Sequence, residues 1–211
     1  MHLPSPAGPD PLRRLSDELH ALAEKFRERS VTLREVIETL GTRAAGLLIV
    51  ILALPFCAPV SIPGLSMPFG AVILVLAGCL VLDRPPWLPQ RLLAVQLPPR
   101  FFRAVLEGAS KFIGWIERRL RPRWRWLTSG TVLQRTHALA VCGGAFLLLL
   151  PLGGIPFTNT LPALVIVFGT LGMMERDGVA VASAYALLGV TIVYFGTFAG
   201  VIVELFEKLI R

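Results

Sequence analysis

Two long apolar stretches of this 211-residue chain carry the same punctuation, and that duplication limits the folds open to it more than any single residue does. Pro68, Gly78 and Asp83 in the first stretch answer Pro162, Gly172 and Asp177 in the second, each pair 94 residues apart. Upstream, Leu54-Pro55 with Pro59 answers Leu150-Pro151 with Pro156. The pattern predicts a doubled unit, each half an apolar helical hairpin broken by proline. Breaks at matching places in duplicated membrane segments leave backbone groups available at membrane depth, a recurrent construction in transporters.

Composition identifies the solvent. Hydrophobic residues make up 54% of the chain and charged residues 17%, against roughly 25% charged in an ordinary soluble domain. The expectation is an all-α integral membrane protein with two repeated proline-broken hairpins, one long C-terminal transmembrane helix and amphipathic interfacial helices. Five segments follow: interfacial helices over 1–42, a first membrane repeat over 43–83, and a basic connector over 84–135. A second repeat covers 136–178, and the C-terminal transmembrane helix covers 179–211. Residues 1–42 mix basic and acidic side chains without the apolar core of a secretory signal, so they are expected not to be a cleaved leader.

Charge placement predicts orientation. Eleven of the 21 Lys and Arg residues lie between Arg84 and Arg135, opposed nearby by Asp83, Glu107 and Glu117. Short basic loops resist translocation, so the connector is expected to be cytoplasmic, and the polar N-terminus with it. In the first block Pro55, Pro59, Pro63 and Pro68 cut the apolar run into pieces shorter than the ~20 residues of a straight spanning helix. Two geometries fit: a bent, re-entrant pair, or two tilted short spans in a thinned bilayer. In the second block Ala138 to Leu150 and Ala163 to Met174 are the short pieces, with Gly153 to Pro162 as the break.

From Val179 to Val203 no residue is charged, enough length to span alone. Its Gly189, Gly196 and Gly200, with Ala182, Ala186 and Ala199, recur at helical spacing and predict close helix packing, within the fold or across a homodimer. Leu12, Leu15, Leu19, Leu22 and Phe26 form one apolar helical face, and Thr32 with Glu35 is a capping box opening a second helix through Leu40. Pro99 to Leu120 is amphipathic and basic; beyond it Arg121, Arg123 and Arg125 interleave with Trp124 and Trp126. That pattern predicts a membrane-interface anchor, indoles at the headgroups and guanidiniums on anionic phosphates, rather than a nucleic-acid surface.

His2, His20 and His137 are scattered, and Cys57, Cys79 and Cys142 are lone thiols in apolar runs, so neither a metal site nor another cofactor is expected. The Gly143-Gly144 and Gly153-Gly154 pairs lack the lysine and strand of a phosphate loop. The polar groups expected at depth are Thr158, Asn159 and Thr160 at the second break and Ser61 and Ser66 at the first. Glu175, Arg176 and Asp177 mark one exit, Asp83 and Arg84 the other, with Arg43 at the entry. The break residues fit either helix capping alone or capping plus an anionic ligand at a helix N-terminus. The exit residues fit either an interfacial stop with local ion pairs or a gate built around Arg176.

The run Ile155-Pro156-Phe157-Thr158-Asn159-Thr160-Leu161-Pro162-Ala163, continued by Leu171-Gly172-Met173-Met174-Glu175-Arg176-Asp177-Gly178, resembles the signature of the ExoD family of bacterial exopolysaccharide-synthesis membrane proteins. Gly46 to Pro55, Pro63-Gly64-Leu65-Ser66 and Arg84-Pro85-Pro86-Trp87-Leu88-Pro89 are similar to that family's first half. The similarity runs from about Thr32 to the C-terminus. Where the family carries an asparagine soon after the first-block proline, this chain has Phe56 and Cys57. The resemblance implies a multi-pass bacterial inner-membrane protein that supports exopolysaccharide production and brings no established catalytic residues. The leading expectation is transport or flipping of an anionic lipid or lipid-linked saccharide carrier such as a polyprenyl phosphate. The alternative is a noncatalytic scaffold for the polysaccharide-synthesis proteins. A membrane enzyme using Glu175 or Asp177 as base lacks a partner nucleophile or metal.

Overall fold

The computed structural model describes residues 24, 31–40, 43–57, 66–86, 90, 96–97, 107, 110–111, 114, 123–150 and 155–210. Among these the architecture is helical, apart from one antiparallel pairing of β1 (Val31–Thr32) with β2 (Gln96–Leu97). The Leu12 to Phe26 face, Ser61, Arg121 and most of the Pro99 to Leu120 stretch lie outside the described residues. Within that last stretch Glu107, Ser110, Lys111 and Gly114 are helical.

Helix α1 (Leu33–Leu40) starts where the capping pattern places it, the Glu35 amide donating to Thr32 Oγ1 at 3.3 Å. Helix α2 (Ala44–Ala53) is apolar all round and buried along most of its length, and Pro55 turns its end into a 3₁₀ turn over Leu54–Phe56. Helix α3 follows over Ser66–Val81. After the four-residue α4 (Arg125–Thr128) come α5 (Thr131–Leu149), α6 (Thr160–Met174) and α7 (Gly178–Ile210). Pro68 and Pro162 each stand third in their helix, where the missing N–H has no intrahelical role. These two prolines therefore open α3 and α6 rather than break them.

One boundary moves substantially. The short piece expected from Ala138 is the C-terminal part of a 19-residue helix that begins at Thr131 and runs through Arg135 and His137. Apolarity alone misses these first two turns, because their polar side chains sit at the end of the bundle where a cavity opens.

The core spans four helices: Leu47, Ile49 and Val50 of α2, Ile73 and Leu76 of α3, Val141 and Leu148 of α5, and Ile166 and Leu171 of α6 are all buried together. Helix α3 packs on α5, α6 packs on both α5 and α7, and α2 bridges α3 and α6. Both helix pairs point the same way. The start of α2 meets the end of α6, since a Cβ on Gly46 would lie 2.5 Å from Met174 Sδ. The start of α3 meets the end of α5, Gly70 facing Ala145 and Leu149. At that second end the rings of Phe56 and Phe69 stack edge to face at 5.5 Å, and Tyr194 on α7 donates to the Pro156 carbonyl at 2.8 Å. Beyond Tyr194, α7 continues for another 16 residues, about 24 Å at helical rise.

Helices α3 and α6 end alike, one residue out of register with the 94-residue offset. Asp83 and Arg176 adopt left-handed backbone (φ 54° and 53°). The following amides close the Schellman bond, Arg84 N to Cys79 O at 2.9 Å and Asp177 N to Gly172 O at 2.9 Å. Asp83 thus corresponds in geometry to Arg176 and not to Asp177. The paired glycines also differ: a Cβ on Gly172 would meet Val181 N at 2.8 Å, whereas one on Gly78 would meet nothing within 4 Å. Helix α7 covers α6, and no described helix covers that place on α3.

Two helices, Thr131–Leu149 and Gly178–Phe198, are long and apolar enough to cross a membrane. Only 33% and 28% of those windows is buried in the bundle, unlike the core helix of a soluble protein. Val132, Leu139 and Phe146 recur every seven residues along α5 as an exposed apolar stripe, and Val190, Ile192 and Val193 are exposed on α7. Exposed apolar side chains along both helices suit a lipid environment.

Candidate functional site

At the end where α2 begins and α6 finishes, the helix termini surround a cavity of about 610 Å³. Arg43 and Gly46 enter from α2, Leu80 and Asp83 from the end of α3, and Thr170, Met173, Met174 and Arg176 from α6. The remaining wall is the segment Thr128 to Thr131 with Gln134 and Ala138 of α5. Arg43, Asp83 and Arg176 are the charged residues of this lining, two guanidiniums against one carboxylate.

The connector wall is held by hydrogen bonds to main-chain carbonyls. The Gly178 amide donates to the Arg123 carbonyl at 2.8 Å, Thr128 Oγ1 donates to the Arg176 carbonyl at 3.4 Å, and Gln134 Nε2 donates to the Thr128 carbonyl at 2.9 Å. His137, 2% exposed, adds a lock: Nε2 lies 2.8 Å from the Leu127 carbonyl and Nδ1 lies 3.0 Å from the Tyr185 hydroxyl. The carbonyl only accepts, so Nε2 carries the proton and, in the neutral ring, Nδ1 accepts from Tyr185. His137 thereby ties α4 and α7 to α5. Gly130, at φ 104°, occupies the N-cap of α5 and offers no side-chain oxygen to its first amides. The positive end of a 19-residue helix dipole therefore borders the cavity.

The exit run divides into distinct roles. Asp177 is buried because its Oδ1 accepts from the amides of Val179 (2.9 Å) and Ala180 (3.4 Å), which makes it the N-cap of α7. Glu175 is the C-cap of α6, its amide donating to Leu171 O at 2.8 Å. Arg176 takes the left-handed position between them and contributes to the cavity. Arg84 is exposed beside the cavity without lining it.

The break residues lie elsewhere. Thr158, Asn159 and Thr160 are buried at the opposite end of α6, about 22 Å from its C-terminus for 15 residues. Thr158 Oγ1 donates to the Ile155 carbonyl at 2.9 Å, a local turn bond. Asn159 occupies the N-cap position of α6 but makes no side-chain cap bond, so capping does not account for its side chain. Ser66 is buried at the matching start of α3. The geometry therefore brings Arg43, Asp83 and Arg176 together and holds Asn159 and Ser66 apart from them. Of the expected anchors, Trp124 and Trp126 are 55% and 71% exposed, Arg123 is exposed, and Arg125 opens α4.

Thr170, Gln134, Thr128 and His137 had no motif to mark them. The one available signal was Thr170 itself, a lone hydroxyl inside the apolar run from Ala163 to Met174.

A family model described as "Exopolysaccharide synthesis, ExoD" matches residues 15–197. The chain is 39% identical to Protein ExoD of Rhizobium meliloti over 186 residues, 88% of this chain and 78% of that protein. It is 28% identical to an uncharacterized protein of Synechocystis sp. over 187 residues, 86% of this chain and 87% of that one. No solved structure matches the chain. With nearly nine-tenths of its length aligned to Protein ExoD and its cavity-forming helices all inside the matched range, the chain belongs to the ExoD family of exopolysaccharide-synthesis proteins.

Proposed function

We propose that this protein supports exopolysaccharide synthesis as a bacterial inner-membrane carrier that moves or presents an anionic lipid or lipid-linked saccharide, without covalent catalysis. The observation that carries the reading is the meeting of Arg43 and Arg176, from the ends of separate helix pairs, on one cavity between them. The cavity opens on the side of the basic connector, which the charge rule makes cytoplasmic. An anionic headgroup would enter there, with its apolar tail along the exposed faces of α5 and α7.

The two helix pairs form the repeated unit of this reading. Support comes from Ser66 and Thr160 opening α3 and α6 at the 94-residue offset and from the shared Schellman ends. The 19-residue length of α5, about 28 Å at helical rise, favours spans over re-entrant loops, and the 16 and 15 residues of α3 and α6 fit a thinned bilayer. Asn159, Thr160 and Ser66 then serve the far end of the path. Membrane lipids are the first partners; a homodimer would use the α7 face of Gly189 and Gly196, where an added Cβ would meet nothing within 4 Å.

The test is a flipping assay in proteoliposomes with a fluorescent polyprenyl-phosphate analogue quenched from outside. The carrier reading expects protein-dependent loss of protected fluorescence that Arg43→Gln and Arg176→Gln each reduce at least tenfold. A second reading, a noncatalytic scaffold for polysaccharide-synthesis proteins, is favoured by the exposed Trp124 and Trp126 beside Arg123. It expects no flipping, with polysaccharide output in cells lost instead in a Trp124→Ala, Trp126→Ala double variant.

A further inference from the structure

The geometry points to a phosphate-binding subsite in this cavity, formed by Arg43, Arg176, the N-terminus of α5 and the hydroxyl of Thr170, with a phosphate monoester as the chemical class of its ligand. The inference rests on the carrier reading for its lipid source but not for its chemistry. Two independent observations converge. The first is electrostatic: two guanidiniums and the uncapped, dipole-positive end of α5 at Gly130 and Thr131 border one concave space. Guanidinium forks match phosphate oxygens, and helix amides supply neutral donors beside them.

The second is an orphan. Thr170 is 0% exposed, lines the cavity, and its Oγ1 has no hydrogen-bond partner. Helical hydroxyls ordinarily turn back to the carbonyl four residues earlier, as Thr136, Ser183 and Thr191 do at 2.9, 2.9 and 2.6 Å. Thr170 does not. A buried hydroxyl left unpaired destabilises a fold, and a ligand oxygen that displaced the neighbouring wall atoms would satisfy it. Asp83 lines the same cavity and offsets one of its two guanidiniums, so the lining suits a phosphate monoester, about −1.5 to −2 at pH 7, over the more highly charged pyrophosphate monoester.

The test is calorimetric titration of the full chain in phosphatidylcholine nanodiscs with inorganic phosphate, with sulfate as a charge control. A second arm uses nanodiscs containing phosphatidic acid or polyprenyl phosphate, read by lipid retention in native mass spectrometry. Arg43→Gln and Arg176→Gln should each weaken binding at least tenfold, the loss of one charge-assisted contact. Thr170→Val, which keeps the shape, should weaken binding severalfold while leaving the melting temperature unchanged or higher, an outcome that a purely structural threonine would not give.

Binding of inorganic phosphate alone, with no gain from the lipids, would support the subsite and overturn the carrier reading. Lipid phosphate bound with equal affinity by the Arg43, Arg176 and Thr170 variants would overturn the subsite and leave the carrier reading standing. Absence of binding in both arms by the folded wild type would overturn the subsite, with the flipping assay then deciding the carrier reading alone.

Discussion

The amide of Gly178 donates to the carbonyl of Arg123 at 2.8 Å, joining the corner between α6 and α7 to the basic connector. A Cβ at 178 would lie 2.7 Å from Trp124 Cβ and 2.8 Å from its carbonyl oxygen, so the corner accepts no side chain without moving. Gly178→Ala should lower stability by about 1–3 kcal/mol through this overpacking. It should also speed protease cleavage between 123 and 130, checked by thermal shift and limited proteolysis in detergent.

Asp177 is buried as a helix cap, its Oδ1 accepting from the amides of Val179 and Ala180. Asp177→Ala should cost about 0.5–2 kcal/mol, whereas Asp177→Asn, which keeps an accepting oxygen, should cost little. Chemical denaturation compares the two. Equal loss of flipping in both variants, with Asp177→Asn fully stable, would assign the charge a role in transport.

Tyr185 and Leu127 meet across the His137 ring. Tyr185→Phe leaves Nδ1 without its donor and should destabilise by about 1 kcal/mol, the net worth of a typical hydrogen bond. His137→Ala also empties a buried volume and orphans the Leu127 carbonyl, so its melting temperature should fall clearly further. If the two variants melt together, the ring does not hold the connector wall.

Much of the fold was legible because its signals are local. Thr32 with Glu35 marked the start of α1, Pro68 and Pro162 stand at the starts of α3 and α6, and the uncharged run after Val179 marked α7. The extra turns at Thr131 were hidden because polar residues there face the cavity end, where an apolar pattern has nothing to report. The sequence offset pairs Asp83 with Asp177, yet the backbone pairs Asp83 with Arg176, since a one-residue difference in helix ending leaves residue identities unchanged. The grouping of Arg43 with Arg176, and the distance from either to Asn159, depend on which helix ends meet. Residue types carry no such information; the packing of α2 against α6 does.

Native mass spectrometry of protein gently extracted from bacterial inner membrane reads out whether an anionic lipid carrier binds in the Arg43 and Arg176 cavity. The expected result is a retained polyprenyl phosphate or lipid-linked saccharide that Arg43→Gln or Arg176→Gln removes and Asn159→Ala, at the far end of α6, leaves in place. Retention of bulk phospholipid alone, at the same level in all of these proteins, would contradict it.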